Sequence, residues 1–245
     1  MDQQTRQALK QDKFITTTSH GLEWASENRR SVITTVAIML AAIVAVVAGG
    51  VIYNSRADSA SVAFGAAMET YQSPVVPPGQ PAPAGGKAYA SVGERARAAN
   101  ALFLDVANRY GMTPSGENAL YFAGLTYVEA GENQQAEDTL KKVARGWNSN
   151  LAALAKFALA SLYQTTGRDD QAIDMYNQLT AKPTAAVPAN LAQFELANLY
   201  GSEGKADAAR QIYASLADKD SKGPAGALAK EKLNPAPGVQ MGGPQ

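Results

Sequence analysis

Two pairs of neighbouring carboxylates, Asp169 with Asp170 and Glu137 with Asp138, are the residues whose type and spacing admit catalysis. A carboxylic acid beside a carboxylate can divide general-acid from general-base work. Both pairs, however, fall in a turn or on a helix that follows one, where acidic side chains stabilise a helix N-terminus through its dipole. That structural role is the preferred reading. The remaining machinery of catalysis is sparse. His20 is the single histidine and precedes a long apolar stretch, so neither a histidine base nor a multi-histidine metal site can be built beyond it. The chain has no cysteine, which removes thiolate nucleophiles, disulfides and cysteine-ligated metals while leaving the redox compartment open. GxxxxGK, HExxH and GxSxG are missing from the sequence. No catalytic, cofactor-binding or metal-ligating residue is therefore assigned, no cofactor is expected, and the chain does not read as an enzyme. A membrane-tethered hydrolase using the carboxylates is a distant alternative. Lysine plus arginine total 22 and aspartate plus glutamate 22, so no basic field points to nucleic acid.

The elements that would carry these residues begin with an uncharged run from Ser31 to Ser55, built from Val, Ile, Ala and Leu on every side of a helix. Val32 to Tyr53 would measure roughly 33 Å as a helix against about 30 Å of bilayer hydrocarbon. Residues 31–55 are thus predicted to be a transmembrane helix in contact with the lipid bilayer. The run exceeds a signal-peptide core and is preceded by some thirty polar residues, which suits an uncleaved signal anchor. Arg29 and Arg30 abut its start, whereas Arg56 is the sole basic residue after it until Lys87. The positive-inside rule then places residues 1–30 in the cytoplasm and the rest outside. The glycine pair Gly49 and Gly50 lies inside the span and is weaker evidence for helix association than a GxxxG spacing.

Residues 1–30 mix Leu9, Phe14, Leu22 and Trp24 with charges of both signs, as either a plain tail or short surface helices with Trp24 at the interface would. After the span, residues 56–72 read as a membrane-proximal helix. Residues 73–90 carry Pro74, Pro77, Pro78, Pro81 and Pro83 with Gly79, Gly85 and Gly86, a composition for an extended loop or spacer. Residues 91–233 form a helical repeat domain, and residues 234–245 a disordered tail.

Three ungapped segments, Leu120 to Val143, Lys156 to Leu179 and Gln193 to Leu216, repeat one order of small and large residues. In each, a small residue (Gly124, Ala160, Ala197) precedes a tyrosine (Tyr127, Tyr163, Tyr200) by three places, and a glycine follows four later (Gly131, Gly167, Gly204). Then come an alanine (Ala136, Ala172, Ala209), a bulky residue (Leu140, Tyr176, Tyr213) and an aliphatic (Val143, Leu179, Leu216). Spacings of three and four share a helix face, and the glycine supplies a left-handed residue that ends the first helix of a hairpin. Small residues let two backbones cross closely while tyrosine and leucine fill the space beside them. The small, tyrosine and alanine positions are the predicted repeat-packing set.

This pattern resembles the tetratricopeptide repeat (TPR). Two departures stand out. The tyrosines recur at 36 and 37 residues instead of the family's shorter period, with Pro183 and Pro188 in the lengthened turns. The aromatic expected at the fourth place of each unit is replaced by Leu120, Lys156 and Gln193, with Tyr121, Phe157 and Phe194 one residue later. The resemblance implies an all-α chain in which a short right-handed solenoid of about three to four helix hairpins follows the N-terminal transmembrane helix. Glu94 to Tyr110 would be the second helix of a degenerate leading unit whose first is Ser59 to Tyr71, and Pro224 to Leu233 a capping helix. The whole layout resembles bacterial single-span inner-membrane TPR proteins whose best-known members are ancillary subunits of the Sec translocon. That resemblance implies a periplasmic scaffold for protein–protein interaction in translocation or folding, with the translocon, periplasmic chaperones or translocated clients as partners. A structural organiser of envelope assembly or division is the alternative. The candidate groove is two rows on the first helices, Tyr121, Phe157 and Phe194 beside Leu125, Ser161 and Asn198, although the aromatics could equally pack against the neighbouring repeat.

Overall fold

The computed structural model describes residues 28–76 and 87–234. The expected surface helices and interfacial Trp24 of the N-terminal tail, the middle of the proline-rich tract and the C-terminal tail lie outside the described residues. Among those described, nine helices and no strand are present: α1 (Arg29–Tyr71), α2 (Val92–Tyr110), α3 (Pro114–Glu129), α4 (Asn133–Ala144), α5 (Ser149–Thr165), α6 (Asp169–Ala181), α7 (Ala189–Ser202), α8 (Ala206–Lys219) and α9 (Pro224–Leu233). The chain divides into two compact units at Ser55 and Arg56.

In the first unit, α1 is long and apolar enough to cross a membrane by length and composition, and none of its apolar window is buried. Side chains from Ile33 to Ile52 are exposed around the helix. The helix does not stop at Ser55 but runs on to Tyr71, so the predicted span and the predicted membrane-proximal helix are one element. Nothing between them could break it, since the stretch is rich in alanine and serine and lacks proline.

The second unit is a stack of helix hairpins in which each helix packs on its neighbours in sequence, α2 on α3, α3 on α4, and so on to α9. The last turns of α1 open it. Phe64 and Tyr71 stand 5.7 and 6.1 Å from Phe103 of α2 and 5.7 and 5.9 Å from Phe122 of α3, and Phe103 stacks on Phe122 at 5.3 Å. Ala67, Ala99, Ala119 and Ala123 complete this first core cluster, a second runs from Leu140 to Leu199, and a third joins Phe194 and Tyr213 to Ala229 of α9. The core is thus passed from hairpin to hairpin, as in a solenoid whose units cannot bury their apolar faces alone.

Helix starts follow local chemistry. The Ser91 hydroxyl accepts from the Glu94 amide at 3.1 Å while the Ala90 amide donates to Glu94 Oε2 at 3.0 Å. Thr113 caps α3 ahead of Pro114, and Asn148 Oδ1 caps α5 by accepting from the Leu151 amide at 3.2 Å. The two ends of the proline-rich tract are held together, because the Val76 amide donates to Tyr89 O at 2.8 Å and the Tyr89 amide to Pro74 O at 3.1 Å.

Candidate protein-binding surface

The α3–α4, α5–α6 and α7–α8 hairpins are closed by the same turn. Gly131, Gly167 and Gly204 have φ of 77°, 70° and 76°, a conformation that costs a side chain but not glycine. Beyond each glycine, the amides of Glu132, Arg168 and Lys205 reach back to the carbonyls of Tyr127, Tyr163 and Tyr200 at 2.9, 2.8 and 2.8 Å. The glycine amides bond one residue further along, to Val128, Gln164 and Gly201 at 3.0, 3.2 and 3.2 Å. This paired bonding is the Schellman arrangement, and it fixes every repeat tyrosine three residues inside its helix end. The residue after the glycine then returns over that ring: the Arg168 guanidinium lies 4.5 Å from the Tyr163 ring centre and the Lys205 ammonium 5.5 Å from that of Tyr200.

Inside the hairpins the small residues sit where helices cross. A methyl group at Gly124 would meet Leu140 Cδ2 at 2.6 Å. Ala136, Ala160, Ala172 and Ala197 are fully buried, Tyr163 and Ala209 nearly so, and Tyr127 and Tyr200 are half-buried.

Polar contacts tie successive hairpins. Arg97 of α2 pairs with Glu132 at 3.2 Å, while Glu137 of α4 pairs with Arg168 at 2.6 Å, so the same joint carries the charges in opposite order. Glu137 also accepts from Lys141 at 2.6 Å and from the Tyr163 hydroxyl at 3.2 Å. Burial pushes its pKa up, but these three donors win and hold the carboxyl at about 2. At the leading joint, the Tyr71 hydroxyl and Arg95 both donate to Glu129. Buried Asn100 donates from Nδ2 to Ala123 O at 2.9 Å and to Thr126 Oγ1 at 3.0 Å.

With Glu137 occupied by three donors and Asp138 exposed and accepting from Gln134 at 3.3 Å, the first carboxylate pair is divided between two environments. Asp169 and Asp170 form the first turn of α6. Among the described residues, no group of three or more potential metal ligands is assembled.

The sequence profile of the tetratricopeptide repeat-like domain matches residues 23–236. The chain belongs to this family. Repeats of the family are typically non-catalytic scaffolds for binding other proteins, and the all-α stack of hairpins is their fold. Two solved structures of a Podosopora anserina kinesin light chain with nearly identical TPR-like repeats are similar to it at 19% identity, covering 57% of this chain and 76% of theirs with a TM-score of 0.47. No curated protein matches the chain.

Within the family's hairpins, the two predicted groove rows separate. Two of the three aromatics face the second helix of their own hairpin, while the Tyr121 ring meets Phe122 of its own helix at 5.6 Å. Phe157 is 5.8 Å from the Tyr176 ring and Phe194 is 5.8 Å from Tyr213. Phe194 is only 8% exposed and belongs to the core, which removes it from the candidate groove. Tyr121 and Phe157 are half-buried against the core, and burial raises the pKa of the Tyr121 hydroxyl. In the second row, Leu125 is half-buried and Ser161 exposed. Asn198 is half-buried and engaged: its Oδ1 accepts from the Tyr213 hydroxyl at 2.7 Å and its Nδ2 donates to Glu195 at 3.2 Å. Asn198 is therefore a packing residue as much as a surface one. Spacing put both rows on the first helices of the hairpins but could not tell which neighbour covers each face.

Sequence reasoning missed a set of clefts, although its signal was present. The fourth-place residues that replace the expected aromatic each line one: Leu120 a cleft of about 420 Å³, Lys156 one of about 310 Å³ and Gln193 one of about 300 Å³. Trp147 stands at the mouth of the largest, with Val143 and Leu151 in its wall.

Proposed function

We propose that the chain is a membrane-anchored protein-binding scaffold, with residues 31–55 as its single span, its N-terminus in the cytoplasm and its repeat domain in the periplasm of a bacterial inner membrane. Helix α1 is the observation that carries this reading. Its first part is apolar and exposed all round, and its last turns supply Phe64, Ala67 and Tyr71 to the first core cluster of the repeat unit. An apolar helix of that length has no aqueous partner among the described residues, and a bilayer would cover it. The resemblance of the layout to ancillary Sec-translocon subunits supports a role in protein translocation or folding, with the translocon, periplasmic chaperones or translocated clients as partners. Protease added to the outer face of the inner membrane in opened cells tests the topology. The repeats should be digested and the N-terminal tail spared; digestion of the tail with the repeats protected would reverse the orientation, and digestion of both would remove the span.

A further inference from the structure

Antiparallel hairpins put the α2–α3, α4–α5, α6–α7 and α8–α9 turns on one edge of the repeat unit and the α3–α4, α5–α6 and α7–α8 turns on the other. The chain enters the unit at the first of these edges. Arg56, its first residue, donates from Nη2 to Arg109 O at 2.7 Å, at the C-terminal end of α2. The two edges differ in charge. The far edge carries Glu129, Glu132, Asp169, Asp170, Glu203 and Asp207 against Arg95, Arg97, Arg168 and Lys205, and three of its acids are paired with these bases. The entry edge carries exposed Lys142 and Arg145 beside the α4–α5 turn, Lys182 on the next and Lys219 and Lys222 on the last, although Asp218 and Asp220 share that last turn, Glu117 lines the cleft below and Asp105 pairs with Arg109 at 3.1 Å. The two most exposed large apolar side chains among the described residues stand on this same edge: Met112 at 91% in the α2–α3 turn and Trp147 at 84% in the α4–α5 turn.

We propose that this edge, through Met112, Trp147, Lys142 and Arg145, rests on an anionic bilayer surface. Tryptophan with its apolar body and polar N–H partitions to the headgroup region, and lysine and arginine beside it meet lipid phosphates. The surface is within reach because Arg56 directly follows the apolar segment in sequence. This inference rests on the reading of residues 31–55 as a span, and its effect would be to hold the repeat unit close to the membrane with its far edge free.

The chain contains two tryptophans, so Trp24→Phe leaves Trp147 as the only reporter in the full-length protein. Reconstituted into vesicles of phosphatidylglycerol and phosphatidylcholine with brominated acyl chains, Trp147 should lose roughly half of its emission. The loss should disappear in phosphatidylcholine alone and in the Lys142→Glu, Arg145→Glu variant, whose helical circular dichroism should match the parent. Full emission with free access to acrylamide, in protein that resists alkaline extraction, would overturn the edge contact and leave the span standing. Shielding from acrylamide without bromine quenching would also overturn it, by assigning Trp147 to a protein contact. Release by alkali would instead overturn the span on which the inference depends.

Discussion

Glu137 is a nearly buried carboxylate that joins α4, α5 and the α5–α6 turn, and its state sets how the middle of the stack responds to acid. Its pKa, held at about 2, lies below the usual carboxylate range of an unfolded chain. A depressed folded value means that the stabilisation is fully present above the unfolded pKa and is lost as pH falls toward the folded one. Glu137→Gln should therefore destabilise the chain at neutral pH by about 1.5–3 kcal/mol, the worth of hydrogen bonds to charged partners. It should also flatten the fall in stability between about pH 4.5 and pH 2. Denaturant unfolding at a series of pH values checks both, and a variant with unchanged acid sensitivity would show that other carboxylates control it. The neighbouring ring contact is part of the same device, since Arg168 pairs with Glu137 at 2.6 Å while lying 4.5 Å from Tyr163.

At the scale of elements, the hairpin turn is the feature most legible in the sequence. The interval from tyrosine to glycine gives both the end of the first helix and the left-handed residue, because only a short list of helix terminations fits it. Gly167→Ala keeps the helix pattern but forces a Cβ into φ of 70°, and should cost about 1–2 kcal/mol. A melting temperature equal to the parent's would mean that the turn relaxes freely. The residue after each glycine was not legible as a partner of the tyrosine, since it is Glu132, Arg168 or Lys205 and no common type marks it. The aromatic row was legible as a row but not as core: its offset is the same whether Phe157 and Phe194 face a client or Tyr176 and Tyr213. The clefts are each lined by a residue that stands where an aromatic is expected, Leu120, Lys156 and Gln193.

For the whole molecule, the reversed ion pairs bear on order. Arg97 meets Glu132 at one joint and Glu137 meets Arg168 at the next, so a stack with one hairpin skipped would bring Arg97 to Arg168. Repulsion against the wrong neighbour specifies the right one. The hairpins in turn present first-helix positions such as Ser161, exposed and free of the packing duty that Asn198 carries. Change there tests binding without testing folding, because surface substitutions usually shift stability by roughly 0.5 kcal/mol or less. The most direct test of the scaffold is a photo-crosslinking amino acid placed at Ser161 of the full-length chain in living cells, with the same group at exposed Asp138 on α4 as the comparison. Discrete adducts with envelope polypeptides at Ser161 but not at Asp138 are the predicted result, and equal adduct patterns at both positions, or none at Ser161 in a folded, membrane-inserted chain, would contradict a binding surface on the first helices.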